Sequence, residues 1–210
     1  KLNKRESFMV MQFIDGAGWP IWLLIFTSIA GLSIILERAW FLREESVIPK
    51  ILLSTSKAMV HKKHIDIEEI QKLCNKNYLG EIFSTILENQ KSDVAVITAI
   101  VEQKAINIRY QLEKHLSYLT TVATVAPLLG LFGTIIGMVE LFGSFTSGGS
   151  DVSAFAKGIS IALYNTAGGI LVAVPAMIAY RYFRTKVDHI LNEMEVCSNE
   201  LINLISNRRD

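Results

Sequence analysis

YLTTVATVAPLLGLFGTIIGMVELFGSF, from Tyr118 to Phe145, is apolar almost throughout and long enough to cross a bilayer. Its small residues follow a rule. Ala123, Pro127, Gly130, Thr134, Gly137 and Leu141 are separated by steps of four and three, which puts them on one helical stripe. Inside a membrane such a stripe faces other helices, because small side chains let backbones approach where lipid supplies no hydrophobic drive. Pro127 and the glycines would argue against a helix in water. In a bilayer, neighbouring helices and hydroxyl side chains can satisfy the backbone groups they free. The stretch therefore predicts a spanning helix that faces inward in an oligomer.

The rest of the chain fits a membrane protein with a large polar portion. Half of the 210 residues are hydrophobic, yet a fifth are charged, and the formal net charge is +1. That balance gives no electrostatic footprint for nucleic acid, which is not expected as a partner. Cys74 and Cys197 belong to no metal or redox motif and are expected as reduced thiols. The chain opens on Lys1, so its true start is expected upstream or at Met9.

Organisation follows from where the apolar runs lie. Residues 1–18 carry a short apolar piece, Phe8 to Ile14, expected to lie along the interface. Residues 19–42 form a first span, with Trp19 and Trp22 at one end and Trp40 at the other, as interfacial anchors. A cleaved signal peptide is the alternative, but this core is too long and lacks a small-residue cleavage site. Residues 43–117 are charged and mixed in sign, an insert with no run able to span. In it Asp66 and Glu69 make a capping box. His61 and His64 are read as part of a solvated basic face rather than a metal site, since no further ligand is adjacent. From Asp93 the apolar positions Ile97, Val101, Ile108, Leu112, Leu116 and Leu119 predict one helix that continues unbroken to Ser144.

Residues 118–145 are the second span, 146–153 a turn rich in glycine and serine, and 154–183 the third span. The third span has its own small stripe: Gly158, Ala162, Thr166, Gly169, Ala173 and Ala176. The tail, 184–210, is amphipathic. Val187, Ile190, Met194, Cys197, Leu201 and Leu204 form a heptad seam whose natural mate is the helix of residues 97–119. The fold class is thus all-α and membrane-embedded: three transmembrane helices, two of them extending far beyond the bilayer as an antiparallel helical stalk. Lysine and arginine concentrate in the insert and tail, while none lies between Phe145 and Lys157, so insert and tail are expected in the cytoplasm. Near the inner headgroups Arg38, Arg43, Arg181 and Arg184 are expected to contact lipid.

Depth singles out a few polar residues. Counted inward from the outer turn, Thr134 and Thr166 lie roughly 15 and 18 Å down their helices. If the stripes face a common axis, these hydroxyls line it, joined by Asn165. If not, they bond the backbone a turn earlier and serve packing. Glu140 is the one acidic residue inside the second and third spans. It lies close in depth to Lys157, and the two are expected as an ion pair or a solvated outer ring. No set of nucleophile, base or metal ligands converges at either membrane face, so neither an enzyme nor a cofactor is expected. A non-conducting membrane scaffold would need the same stripes.

ATVAPLLGLFGTIIGM in the second span, GISIALYNTAGGILVAVPAMIAYRYF in the third and the Glu37-Arg38 pair closing the first resemble the ExbB/TolQ family of proton-channel proteins, related more distantly to MotA. The resemblance covers all three spans in order. It implies a homopentamer in a bacterial inner membrane, N-terminus periplasmic and C-terminus cytoplasmic, surrounding the single spans of an ExbD or TolR partner dimer. Proton flow would drive motion passed to TonB or TolA. It also implies pore-lining roles for Thr134 and Thr166. One departure stands out: Ile161, in GISIAL, occupies a place where many members carry glutamate. The essential carboxylate is then expected on the partner.

Overall fold

The computed structural model describes residues 18–42, 77–145 and 152–207, and in them every regular element is a helix. They are α1 (Ile21–Phe41), α2 (Tyr78–Glu88), α3 (Val94–Glu113), α4 (Leu116–Phe145) and α5 (Val152–Ser206). The interfacial piece at 8–14, the capping box at Asp66, His61 and His64, Cys74, Arg43 and the turn after Phe145 lie outside the described residues. Helices α1, α4 and α5 are each long and apolar enough to cross a membrane. Contacts divide the chain into two compact units.

The first unit holds α1 to Leu36, α4, and α5 to Arg181. On α1 only a narrow stripe is covered, Ile21, Leu24 and Gly31, and it packs on Ala126 and Ala173, with Val122 against Gly31. Trp19 meets Phe132 edge to face, ring centres 6.1 Å apart. The other faces carry Phe26, Ile29, Leu32, Leu128, Ile135, Leu171 and Ile178, all more than half exposed. Apolar surface on that scale is incompatible with water and suited to hydrocarbon. Two prolines sit inside these helices, Pro127 and Pro175, as the membrane setting permits.

The second unit gathers Glu37 to Leu42, α2, α3 and α5 from Tyr182. The seam expected between α3 and the tail is formed: Ile97, Val101, Ile108 and Leu112 are buried, as are Val187, Ile190, Met194, Cys197 and Leu201. Arg109 reaches Asp188 at 3.6 Å, while Val101 and Met194 line one groove, so the two helices run antiparallel. Helix α2 closes the cluster with Leu79, Ile82, Phe83 and Ile86, and Lys104 pairs with Glu81 at 2.9 Å. Burial raises the Tyr78 hydroxyl above the ordinary phenol range.

One expectation fails. The helix predicted to run unbroken from Asp93 to Ser144 is interrupted at Lys114 and His115. No glycine or proline is there to break it. At the break, a distant side chain satisfies the end of α3: Arg38 Nη1 donates to the Leu112 carbonyl at 3.1 Å, one of the carbonyls that a helix end leaves without an intrahelical partner.

Candidate channel-lining helix pair

Helices α4 and α5 are in backbone contact. A methyl built on Gly130 would sit 2.8 Å from the Asn165 carbonyl oxygen and 3.2 Å from Gly169 Cα; one on Gly169 would sit 2.7 Å from the Ala126 oxygen. Nearer the start of α5, a methyl on Gly137 would lie 3.0 Å from Ala162 N, and one on Gly158 2.8 Å from Leu141 Cβ. These separations leave no room for any β-carbon. Four glycines on two helices therefore make a close antiparallel seam of the kind membrane helices use.

The phase of that seam differs slightly from the expected stripe. Ala123, Gly130, Gly137 and Leu141 on α4 are buried, and so are Gly158, Ala162, Gly169, Ala173 and Ala176 on α5. Between them, however, the covered positions are Ala126 and Gly133, not Pro127 and Thr134; on α5 the covered position is Asn165, not Thr166. Pro127 is exposed, and both threonines are half-buried at the edge of the seam. Steps of three and four fit either phase. Gly133 was the residue the spacing could have yielded, since 130, 133 and 137 also alternate.

This rotation corrects the reading of Asn165. It is 0% exposed and cannot line an aqueous path in this packing. Its Nδ2 donates to the Ile161 carbonyl at 2.9 Å, and its side chain lies against Gly133, where an added methyl would be 2.4 Å from Cγ. Asn165 is part of the seam.

The threonines are placed differently. Thr134 follows Gly133 and Thr166 follows Asn165, so each lies one residue, a rotation of about 100°, past a seam residue. In an antiparallel pair, equal rotations about the two axes bring both side chains to the same edge. The pairing of Gly130 with Gly169 and of Gly137 with Ala162 sets Thr134 opposite residue 165, so the two threonines differ in level by roughly 1.5 Å at helical rise. Thr134 Oγ1 donates to the Leu131 carbonyl at 2.6 Å, the backbone bond a turn earlier that the packing alternative expects, and its oxygen keeps its capacity to accept.

Other expected residues fall elsewhere. Glu140 and Lys157 are both exposed, and among the described residues no ion pair joins them within the chain. The paired form of that expectation is therefore not realised. Ile161 is buried against Gly137, its Cγ2 methyl 3.1 Å from where a β-carbon on that glycine would stand, so an apolar side chain fills the site. Arg181 and Arg184 are exposed. Arg38 is not: only 3% exposed, it turns from the lipid headgroups to the Leu112 carbonyl, Glu37 and His115.

Three apolar helices, the last two joined by a glycine seam and followed by an amphipathic antiparallel bundle, define a multi-pass α-helical membrane protein. The family model of the MotA/TolQ/ExbB proton channel family matches residues 74–196, and the chain belongs to that family. It is similar to biopolymer transport protein exbB1 of Vibrio cholerae, 35% identical over 89 residues, 41% of this chain and 39% of that protein. An ExbB-like biopolymer transport protein of Synechocystis is 28% identical over 179 residues, 81% of this chain and 68% of that protein. The Tol-Pal system protein TolQ of Pseudomonas aeruginosa is 35% identical over 91 residues, 43% of this chain and 39% of that protein. The chain thus spans about two fifths of the length of the Vibrio and Pseudomonas relatives.

Proposed function

We propose that this chain is the ExbB-like subunit of a proton-driven motor in a bacterial inner membrane, where five copies surround an ExbD-like dimer of single spans. Through that dimer the proton motive force would energise a TonB-like protein and, with it, uptake across the outer membrane. The observation that carries this reading is the shared edge and level of Thr134 and Thr166. Two hydroxyls displaced from the packing seam to one side of the pair give an oligomer a polar ring, and hydroxyls with water can pass a proton that they cannot themselves hold.

Chemistry divides the labour. Neither α4 nor α5 carries an acid at this depth, since Ile161 is apolar and Glu140 lies near the outer end. The titrating carboxylate then belongs to the partner's span, and the threonines solvate its path. Glu140 and Lys157 form a solvated outer ring at the mouth, and Arg181 and Arg184 meet inner-leaflet headgroups. A TolQ-like role in the Tol-Pal envelope system is the second reading, favoured by the similarity to the Pseudomonas protein.

The deciding experiment reconstitutes the chain with and without its partner in vesicles holding a pH-sensitive dye. Proton flux is expected only with the partner, and to fall when Thr134 or Thr166 becomes valine. Appreciable leak from the chain alone, or full flux in the double valine variant, would overturn the proposal.

A further inference from the structure

Beyond the channel pair, the described residues hold one cluster in which a single atom faces two incompatible partners. His115 Nδ1 lies 2.8 Å from Arg38 Nη2, a group that only donates, and 3.1 and 3.3 Å from Glu37 Oε2 and Oε1, atoms of a carboxylate. The arginine is fully engaged. Its Nε donates to Glu37 Oε2 and its Nη2 to Glu37 Oε1, both at 2.9 Å, its Nη1 donates to the Leu112 carbonyl, and its carbon lies 4.6 Å over the Phe41 ring. Nη2 has two hydrogens: one goes to Glu37, the other points at the imidazole.

We propose that His115 is a proton-binding site whose charge state decides whether Arg38 stays locked on the Leu112 carbonyl. In neutral imidazole with hydrogen on Nε2, Nδ1 is bare and accepts from Nη2; the lock is complete. Protonation turns Nδ1 into a donor facing another donor, and sets two cations 2.8 Å apart. The new N–H then takes a Glu37 oxygen that Arg38 was using. Arg38 withdraws, and the carbonyl at the end of α3 loses its partner. The backbone at the break, Leu112 to Leu116, loosens.

The surrounding charges leave the imidazole as the group that decides. Glu37 and Arg38 come from α1, and Glu113 and Lys114 adjoin His115 in the chain. From α2, Tyr78 is close enough to feel the Arg38 charge. In the register fixed by Arg109 and Asp188, Arg181, Tyr182, Arg184 and Lys186 are the titratable or charged residues of α5 near this level, and the two arginines stay cationic throughout. Imidazole alone among these side chains ordinarily changes charge between pH 5 and 8. His115 is about one third exposed and so can exchange protons with water. Arg38 is a positioning residue here, and its pairing with a histidine and a backbone carbonyl does not depend on the channel reading.

The test is hydrogen–deuterium exchange of the full chain in lipid nanodiscs at pH 5.5 and 7.5, with exchange times scaled for the intrinsic chemistry. Peptides covering residues 112–118 are expected to exchange about tenfold faster at the lower pH, the loss of one ordinary hydrogen bond. His115→Asn offers an acceptor at every pH and is expected to stay protected at both. His115→Lys is a permanent cation and is expected to exchange fast at both. Should one variant fail to assemble, the other together with the wild type still decides. Equal wild-type protection at the two values, or a pH dependence that survives in His115→Asn, would overturn the proposal.

Discussion

Asn165 lies so close to Gly133 that a methyl group on the glycine would stand 2.5 Å from the asparagine Cβ and 2.4 Å from its Cγ. The obstacle is the stiff base of a side chain, not a flexible tip that can swing aside. Gly133→Ala should therefore push the two helices apart, a cost of about 1–3 kcal/mol for an overpacked site. Asn165→Ala cannot relieve it, because the Cβ remains; Asn165→Gly can. Thermal unfolding of the purified protein in detergent should show the alanine variant well below wild type, recovered by glycine at 165 and not by alanine. Recovery by alanine would mean that the seam gives way at this point.

Gly130 and Gly169 present a harder case, since the nearest atoms to an added methyl are the carbonyl oxygens of Asn165 and Ala126, at 2.8 and 2.7 Å. No side-chain substitution opposite can make room for it. Gly130→Ala and Gly169→Ala should each destabilise at least as much as Gly133→Ala and resist rescue. Gly143 is the control. Nothing lies within 4 Å of a methyl there, so Gly143→Ala should be neutral or stabilising by up to about 1 kcal/mol, through helix propensity alone. The same melting assay ranks all three.

These glycines show how far the sequence could be read. That α4 and α5 pack by small residues was legible, because steps of three and four are a local property. Which of two interleaved sets is covered was not. The sets 127 and 134 or 126 and 133 satisfy the same rule, and the choice depends on what stands opposite, here Asn165. The break at Lys114 and His115 was hidden for a related reason. The side chain that satisfies the helix end there, Arg38, is 74 residues away from the carbonyl it takes. The α3 seam with the tail of α5, by contrast, was readable nearly residue by residue, since large apolar side chains at heptad spacing leave one covered face.

Replacing Arg38 should expose how much rests on that contact. Lysine carries one ammonium and cannot reach Glu37 through two nitrogens while also donating to the Leu112 carbonyl and the His115 ring. Arg38→Lys should therefore behave almost like Arg38→Ala, each losing about 1–3 kcal/mol, the usual cost of leaving a buried acceptor unsatisfied. Chemical denaturation of the detergent-solubilised chain measures both. A lysine variant as stable as wild type would show that charge alone, without the fork of donors, suffices.

Thr134 and Thr166 offer the sharpest separation of channel from scaffold. Valine has the shape of threonine without the hydroxyl, and both residues sit at the edge of the seam, half-buried. Packing should survive the change, with stability altered by no more than about 1 kcal/mol for an edge position that loses one backbone bond. Proton flux in the reconstituted complex should nevertheless fall by tenfold or more for either valine, while serine, which keeps the oxygen, should retain most of it. Glu140→Gln serves as the internal comparison. An exposed carboxylate near the C-terminal end of α4, with no ion-pair partner among the described residues, should be dispensable to within a factor of about two, the scale of an exposed charge. If Glu140→Gln abolished flux while the threonine variants conducted normally, the proton would be travelling by Glu140, and the edge hydroxyls would be packing residues after all.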